Sequence, residues 1–289
     1  MAVPAGSAAA VVLEYLQAQT RALRKQERLV RLDGEDAVHQ MRVAARRLRS
    51  ALRTFRRVLD RDRTRALVDE LRWLAGELAP ARDSEVMHAR LTELVAELPA
   101  ELVPEDFAPE LDAIFTRRAA AARTRALAAL DSARYGSLLD ALDALAVDPP
   151  VRPRGLRAAR RVLPREVARA HRRVVTAMAD TLGLPSGPER DAALHEARKA
   201  AKRLRYAREA ARAGLGRAPR RWTRRVTAVQ DLLGAHQDSV VTRATVLALA
   251  REDALDGFVL GELYGHEALR GRQVEEALPA AWARVPGPG

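Results

Sequence analysis

The chain has 289 residues, contains no cysteine, and takes only 4% of its residues from Phe, Trp and Tyr. These features exclude a disulfide framework and a thiolate metal site, and they favour helices packed through Leu, Val and Ala over a sheet. The net charge of +12 favours a polyanionic partner, such as nucleic acid, an anionic membrane or a phosphate polymer, although a GC-rich genome would give a similar excess of arginine.

The N-terminal segment, MAVPAGSAAAVVLEYLQAQT, carries no sign of a targeting signal. No basic segment precedes its apolar run, and Glu14 interrupts that run. No other stretch approaches the roughly 18–20 apolar residues that cross a bilayer. We therefore expect a cytoplasmic protein with no membrane segment.

Clusters of Pro and Gly divide the chain into segments with helical apolar spacing. These breaks fall at 32–36, near Pro80, at 98–110, 147–155, 183–188 and 213–219, and at Gly234. Sustained alternation with a period of two is missing from the sequence, so we predict an all-α fold of about ten helices joined mostly by short loops.

Two of these segments place a row of cations directly beside the apolar face. In the segment 38–55 the apolar stripe comprises Val38, Met41, Ala45, Leu48, Leu52 and Phe55. A row of cations, His39, Arg42, Arg46, Arg49, Arg53 and Arg56, lies one position further along, and we call its part from His39 to Arg53 the first ladder. The second ladder, defined as His195, Arg198, Lys202 and Arg205, follows Leu194, Ala197, Ala201 and Leu204 in the same way.

A displacement of one residue is 100° of helix rotation, so both ladders should lie at the edge of a buried face. Cations in that position line a groove or cavity between helices, where a bound anion would relieve their mutual repulsion. The alternative is that the arginine stems cover apolar surface while their charged heads stay in water.

The two ladders belong to an internal repeat. Residues 38–52 align with residues 194–208, so that His39 matches His195. A second block, 74–86, aligns with 229–241 at nearly the same spacing. We infer a duplication and two similar helical bundles facing one another, near 8–135 and 156–275.

The doubled motif His-x-x-Arg-x-x-x-(Arg/Lys)-Arg-Leu-Arg, each copy followed by a Leu- and Gly-rich turn and an Asp, resembles the CHAD family, the conserved histidine α-helical domain. The resemblance covers nearly the whole chain and is to the stand-alone members, which lack an N-terminal CYTH domain. It implies a single domain over 1–289, with two pseudo-symmetric four-helix repeats, plus extra helices, around a basic central cavity. It also implies binding of inorganic polyphosphate without catalysis.

The motif and its flanking cations give the expected polyphosphate-binding residues. These are His39, Arg42, Arg46, Arg47, Arg49 and Arg53 in the first repeat, and His195, Arg198, Lys199, Lys202, Arg203 and Arg205 in the second. Val43 stands where the second repeat has Lys199, so the first half is expected to hold the ligand less tightly. We expect no catalytic residue, no cofactor and no metal.

Several alternatives stay open at this stage. Charge alone would also suit a sequence-independent nucleic-acid binder, or another polyanion as partner. A His-dependent phosphatase or phosphotransferase is less favoured, because no metal-binding or phosphate-loop motif accompanies the histidines.

The sequence also leaves open whether His39 and His195 contact phosphate or only pack. The arginine run 152–173 could form a further wall of the site or a solvated surface. Association with polyphosphate granules and the oligomeric state are open as well.

Four polar residues have predicted roles at helix starts. Asp33 and Ser186 are expected to begin the helices that place His39 and His195 about two turns inside. Asp83 and Asp238 are expected to cap the helices that follow breaks at Pro80 and Gly234. The alternative for each of these two aspartates is to orient a ladder arginine.

Overall fold

The computed structural model of the protein describes residues 3–215 and 220–285, without the side chains of 220 and 221. It confirms the predicted all-α fold. The ten helices of these residues are α1 (Ala8–Arg31), α2 (Ala37–Thr54), α3 (Arg61–Glu77), α4 (Ala79–Ala96), α5 (Phe107–Leu130), α6 (Ala133–Val147), α7 (Ala159–Leu182), α8 (Pro188–Ala210), α9 (Arg220–Arg251) and α10 (Gly257–Ala283). Extended pairing within the described part is limited to two isolated bridges.

The helices form two compact units, each drawn from three stretches of chain. Unit 1 comprises Met1–Arg82, Ala120–His171 and Arg203–Arg217, and unit 2 comprises Asp83–Ala119, Arg172–Lys202 and Ala218–Gly289. Helices α4, α5, α7 and α8 therefore each contribute residues to both units. The limits of the two sequence repeats, near 8–135 and 156–275, stay a prediction.

Unit 1 is built on α1, α2 and α3, with α6 against α1 and α3. The Ser7 hydroxyl accepts a hydrogen bond from the Ala10 amide at the start of α1, and Asp60 accepts one from the Asp62 amide at the start of α3. The apolar stripe of α2 reaches the centre of the unit, where Met41, Leu48 and Phe55 are fully buried. The position of α2 thus follows from its helical apolar spacing.

Unit 2 contains a core of Leu, Val and Phe side chains from α4, α5, α9 and α10. Helices α9 and α10 pack closely along their length. Gly271 on α10 permits this approach, because a Cβ atom there would lie 2.8 Å from the Ser239 hydroxyl oxygen of α9. The Ser239 hydroxyl also donates to the Glu267 carbonyl oxygen at 2.7 Å. These contacts fix the register of α10 against α9.

The predicted breaks are correct near Pro80 and wrong at Gly234. Helix α3 ends at Glu77 and α4 starts at Ala79, so Pro80 lies in a first turn, where its missing N–H is tolerated. Gly234 lies in the middle of α9, which runs through it without interruption. A single Gly lowers helix propensity by only about 1 kcal/mol, which the tertiary packing of α9 outweighs. No described helix combines the length and apolar character that a bilayer span requires.

Candidate functional site

The first ladder lies along α2 at the edge of its buried face, as the spacing predicts. The apolar stripe is buried except for half-buried Val38. His39, Arg42, Arg46 and Arg49 are half-buried, and Arg53 is exposed. The ladder side chains therefore border the interior of unit 1 and still reach its surface.

His39 is the third residue of α2, not a residue two turns inside the helix. Asp36, rather than Asp33, precedes the helix, and it adopts a left-handed conformation with φ of 55°. The Asp33 carboxylate instead pairs with Arg123. Burial lowers the pKa of His39, and the nearby charges of Arg82, Arg46 and Arg42 lower it further against an opposing effect of Asp36. His39 is thus a neutral imidazole at neutral pH.

Two arginines of the first repeat make direct contacts within unit 1. Arg42 Nη1 donates to the Ala79 carbonyl oxygen at 3.0 Å, at the junction between α3 and α4. Arg47 Nε lies 3.2 Å from the Glu209 carboxylate. These contacts hold both guanidinium groups in place, and the one at Arg47 offsets its charge.

Arg49 is the centre of a concentration of positive charge. Burial lowers its pKa, and the charges of Arg53, Arg72, Arg203 and Arg46 lower it further. We call Arg46, Arg49, Arg53, Arg72 and Arg203 the arginine cluster. All five residues belong to unit 1. The cluster brings the end of the first ladder together with Arg203 of the second repeat, so two regions of the repeat motif meet here.

A cavity of about 390 Å³ adjoins the cluster, between α2 and α3. Its lining contains five arginines and a single acid: Arg53, Arg56, Arg61, Arg65, Arg72 and Asp69. The Arg72 guanidinium is 3.8 Å from Asp69, but both side chains are more than half exposed. The cavity is therefore lined by a large excess of positive charge and opens to solvent.

The α3 arginines of this cavity are functional candidates that the sequence analysis missed. Segment 61–72, RDRTRALVDELR, mixes both signs and has the composition of an ordinary solvated helix. The signal available in the sequence was the four-residue spacing of Arg61 and Arg65, which places both on one helix face. That spacing places Arg61 and Arg65 on one face of a helix, but it does not show that this face lies beside the end of the first ladder.

The second ladder begins in unit 2, on α8, beside the buried residues Leu194, Ala197 and Ala201. His195, Arg198, Lys199 and Lys202 are half-buried, as predicted from the spacing. His195 lies eight residues into α8, so its predicted depth in the helix is correct. The Ser186 hydroxyl does not cap α8 but donates to the Glu275 carboxylate at 2.7 Å.

Most cations of this part of the ladder have nearby polar or acidic partners. His195 Nδ1 donates to the Gln237 side-chain oxygen. Arg198 lies 3.8 Å from the Asp238 carboxylate, and Lys199 pairs with Glu196. Gln237 and Asp238 are adjacent on α9. Both orient ladder side chains, although the sequence analysis singled out Asp238 alone.

The structure corrects the predicted capping roles of the two aspartates. Asp238 is an interior residue of α9 and contacts a ladder arginine, which is the alternative reading of that position. Asp83 lies within α4 rather than before it. The capping prediction was wrong at both positions because α4 starts earlier and α9 is not interrupted at Gly234.

The last two expected site residues, Arg203 and Arg205, belong to unit 1. Arg203 joins the arginine cluster, while Arg205 is exposed and stacks over the ring of Tyr206, with 5.1 Å between its Cζ atom and the ring centroid. Tyr206 itself is only 5% exposed. The ring closest to the ladders in sequence is thus covered.

The arginine run 152–173 is divided between ion pairs and solvent. Arg154 and Arg169 contact the buried carboxylate of Glu166, and Arg152 lies 3.4 Å from Asp60. Other arginines of the run are exposed: Arg157, Arg160, Arg161, Arg165, Arg172 and Arg173. Buried Glu166 and half-buried Asp60 therefore fix one part of this run within unit 1, and the other part is a solvated surface.

The fold and these ladders define a basic all-α protein with a repeated His/Arg helix motif. Residues 14–247 match the CHAD domain family, so the chain belongs to that family. It is 39% identical over 265 residues to the uncharacterized proteins MT2285 and Rv2226 of Mycobacterium tuberculosis. The match covers 90% of this chain and 50% of each relative, so the chain spans about half the length of the curated relatives it matches.

Two solved structures share the fold over almost their full length. PptA from Streptomyces chartreusis has a TM-score of 0.79 and 25% sequence identity, and the match covers 96% of this chain and 99% of that one. The CHAD domain from the plant Ricinus communis has a TM-score of 0.74 and 26% identity, with 98% and 94% covered.

Proposed function

We propose that this protein binds inorganic polyphosphate and does not catalyse its cleavage. The observation that carries the proposal is the arginine cluster around Arg49, with the adjacent basic cavity. Like charges at close range in a half-buried site repel one another, and each added anion lowers that repulsion. The resemblance of the doubled motif to the CHAD family, to which the chain belongs, supports polyphosphate as that anion.

Arginine is the side chain best suited to this ligand. Its planar guanidinium offers parallel N–H donors to two non-bridging phosphate oxygens and stays charged at any cellular pH. Polyphosphate is a flexible thread with about one charge per unit, so successive rungs of a ladder can meet successive phosphates. We place the main contacts at Arg46, Arg49, Arg53, Arg72 and Arg203.

We expect the second ladder to contribute less to the affinity for polyphosphate than the arginine cluster does. Partners such as Asp238 and Glu196 already offset part of its charge. A polyphosphate contact must compete with those partners, whereas the lining of the cavity beside the arginine cluster has five arginines and one acid, Asp69. We retain His195, Arg198, Lys199 and Lys202 as binding residues on this basis, and His39 as a neutral donor to phosphate.

The structure favours polyphosphate over nucleic acid in one respect. Binding of single-stranded nucleic acid relies on exposed aromatic rings on which bases stack. Tyr206, the ring next to the second ladder, is buried, and Arg205 covers it. Trp73 on α3 is covered in the same way by Arg134, with 4.3 Å between the Arg134 Cζ atom and the ring centroid.

The test is a competition experiment with fluorescently labelled long-chain polyphosphate. Unlabelled polyphosphate, duplex DNA, RNA and pyrophosphate compete at equal phosphate concentration and physiological ionic strength. We expect long-chain polyphosphate to displace the label best and the amount of polyphosphate to stay constant during incubation. Equal or better displacement by DNA or RNA would favour a nucleic-acid binder, and loss of polyphosphate with release of phosphate would favour an enzyme.

A further inference from the structure

Three side chains of metal-ligand type converge inside unit 2. They are Asp191 on α8, His236 on α9 and Glu275 on α10, and their ligand atoms all lie within 4.8 Å of one another. His236 is 1% exposed. Its Nε2 atom is buried and makes no well-oriented hydrogen bond to any described residue.

The His236 ring is aimed between the two carboxylates rather than at either one. Nε2 lies 3.2 Å from Asp191 Oδ1 and 3.4 Å from Glu275 Oε1. In a tetrahedral zinc site with bonds of about 2.0–2.2 Å, neighbouring ligand atoms are about 3.3–3.5 Å apart. The two distances from Nε2 thus agree with those between ligands that share one ion.

The outer carboxylate oxygens are held by other side chains. Glu275 Oε2 accepts a hydrogen bond from the Ser186 hydroxyl at 2.7 Å and lies 3.2 Å from Arg190 Nε. Asp191 Oδ2 lies 3.5 Å from a terminal nitrogen of Arg243. These contacts fix both carboxylates with their inner oxygens towards His236, which is the usual arrangement of groups that support metal ligands.

We propose that Asp191, His236 and Glu275 form a binding site for a divalent first-row cation of the zinc type. One imidazole nitrogen and two carboxylate oxygens are a borderline donor set, which suits zinc better than calcium or magnesium. The three residues leave a fourth position for water or another small ligand. The proposal replaces the sequence-based expectation of no metal, and it is independent of polyphosphate binding.

Two features of the site determine how tightly it should bind a cation and what that binding should do to the fold. Arg190 and Arg243 already offset the carboxylate charges, so affinity should be lower than that of thiolate sites. The ion would link α8, α9 and α10, and its binding should therefore stabilise the folded protein. Local spacing in the sequence does not reveal this site, because each of the three residues comes from a different helix.

The experiment uses the full chain after treatment with a chelator and dialysis. Zn²⁺ is titrated by calorimetry, and Co²⁺ is added separately to record its visible spectrum. We expect one equivalent of Zn²⁺ to bind, a rise in the melting temperature, and the intense visible absorption of four-coordinate Co²⁺. Failure of the parent protein to bind Zn²⁺ would overturn the proposal and leave a purely ionic network of His236 with the two acids.

Substitutions of the proposed ligands test whether the ion binds at this site. His236→Ala and Glu275→Gln should each abolish the stoichiometric binding and the Co²⁺ spectrum. The matched control is His266→Ala, which removes a half-exposed histidine 3.8 Å from Glu97 and should change neither. If His236→Ala fails to fold, Glu275→Gln and the parent spectrum still decide the question. Binding that survives Glu275→Gln, or that is lost in His266→Ala, would contradict the assignment.

Discussion

The two ladder regions have the same sequence motif but different electrostatic surroundings. In unit 1 the neighbours of Arg49 that shift its pKa are four further arginines. In unit 2 the cations Arg198 and Lys199 each have a carboxylate partner, and His195 is held by Gln237. We therefore expect the two copies of the motif to differ in their contribution to ligand binding, because residues outside the motif decide how much charge is left to a ligand.

This difference reverses the expectation drawn from Val43. The sequence favoured weaker binding by the first repeat, because Val43 stands where the second repeat has Lys199. Lys199 pairs with Glu196, so its charge is partly offset before any ligand arrives. We now expect the first repeat to contribute more of the affinity.

The largest expected effect is the loss of the arginine cluster. The triple variant Arg49→Gln, Arg53→Gln, Arg72→Gln should weaken polyphosphate binding by on the order of 100-fold or more, since each charge-assisted contact is worth about 1.5–3 kcal/mol. Fluorescence anisotropy measures the affinity. Circular dichroism should show native helicity, because removal of like charges relieves repulsion.

A matched variant controls for net charge. Half-buried Arg24 and the exposed residues Arg63 and Arg125 are arginines of unit 1 that pair with Asp143, Asp148 and Glu77. Their replacement by Gln removes the same formal charge and should lower affinity by less than about threefold, since screened surface charges contribute little. Equal losses in the two triple variants would show that binding depends on overall charge and not on the cluster.

A smaller effect is expected in the second ladder. Arg198→Gln combined with Lys202→Gln should weaken binding by about tenfold, because a phosphate that binds there must displace existing partners. The same anisotropy assay measures it, with Asp238→Asn as the counterpart that releases Arg198 and should tighten binding slightly. A loss of affinity larger than that of the arginine-cluster variant would show that the second ladder, and not the first repeat, makes the larger contribution to binding.

Salt dependence sharpens the comparison further. Each neutralised phosphate contributes about 0.7–0.9 to the slope of log affinity against log salt, by analogy with nucleic acids. The parent should have a slope of several units, and the Arg49/Arg53/Arg72 variant should have a slope smaller by about 2. An unchanged slope in that variant would place the contacts elsewhere.

The smallest expected effect is a change in the titration of His39. Its pKa lies below the ordinary value of about 6.5, because burial and three arginines disfavour the charged form. Bound phosphates should raise that pKa, so affinity should increase slightly as the pH falls through this range. NMR titration with and without polyphosphate measures the shift, with His39→Gln for assignment.

The pH dependence that His39 gives to folding stability has the opposite sign to the one it gives to polyphosphate binding. The unfolded chain takes up its proton near the ordinary pKa, whereas folded His39 does so only at lower pH. His39 therefore lowers the stability of the ligand-free protein as the pH falls below about 6.5.

The NMR titration also has an outcome that would contradict the assignment of His39 to the binding site. A pKa of His39 that polyphosphate leaves unchanged would show that the ring does not face the ligand.

Periodicity predicted the ladders well because helix geometry is local. The stripe from Met41 to Phe55 needed only the 100° rotation per residue to place the arginines at its edge. The sequence could not show which acids approach these cations. Glu209 meets Arg47 across the fold of unit 1, and Asp238 meets Arg198 across unit 2. Such pairings depend on how helices pack, which local spacing does not specify.

Helix ends were predicted less well than helix faces. Gly234 and Asp238 were interpreted as a stop and a new start, but the packing of α9 against α10 keeps the helix continuous through both. The sequence signal was genuine, since Gly and Asp do favour helix ends. Tertiary contacts outweighed it, and the same contacts bring Asp191, His236 and Glu275 together from three helices.

The hydrogen bond from Arg42 to the Ala79 carbonyl oxygen has an entropic consequence. A free arginine side chain loses rotational freedom when it grips a ligand, at a cost of about 0.5–1.5 kcal/mol. Arg42 has lost part of that freedom on folding, because its guanidinium is already held at the junction between α3 and α4. This residue of the first ladder is thus partly preorganised, and we expect a polyanion that binds there to cost less side-chain entropy than one that binds an unrestrained arginine.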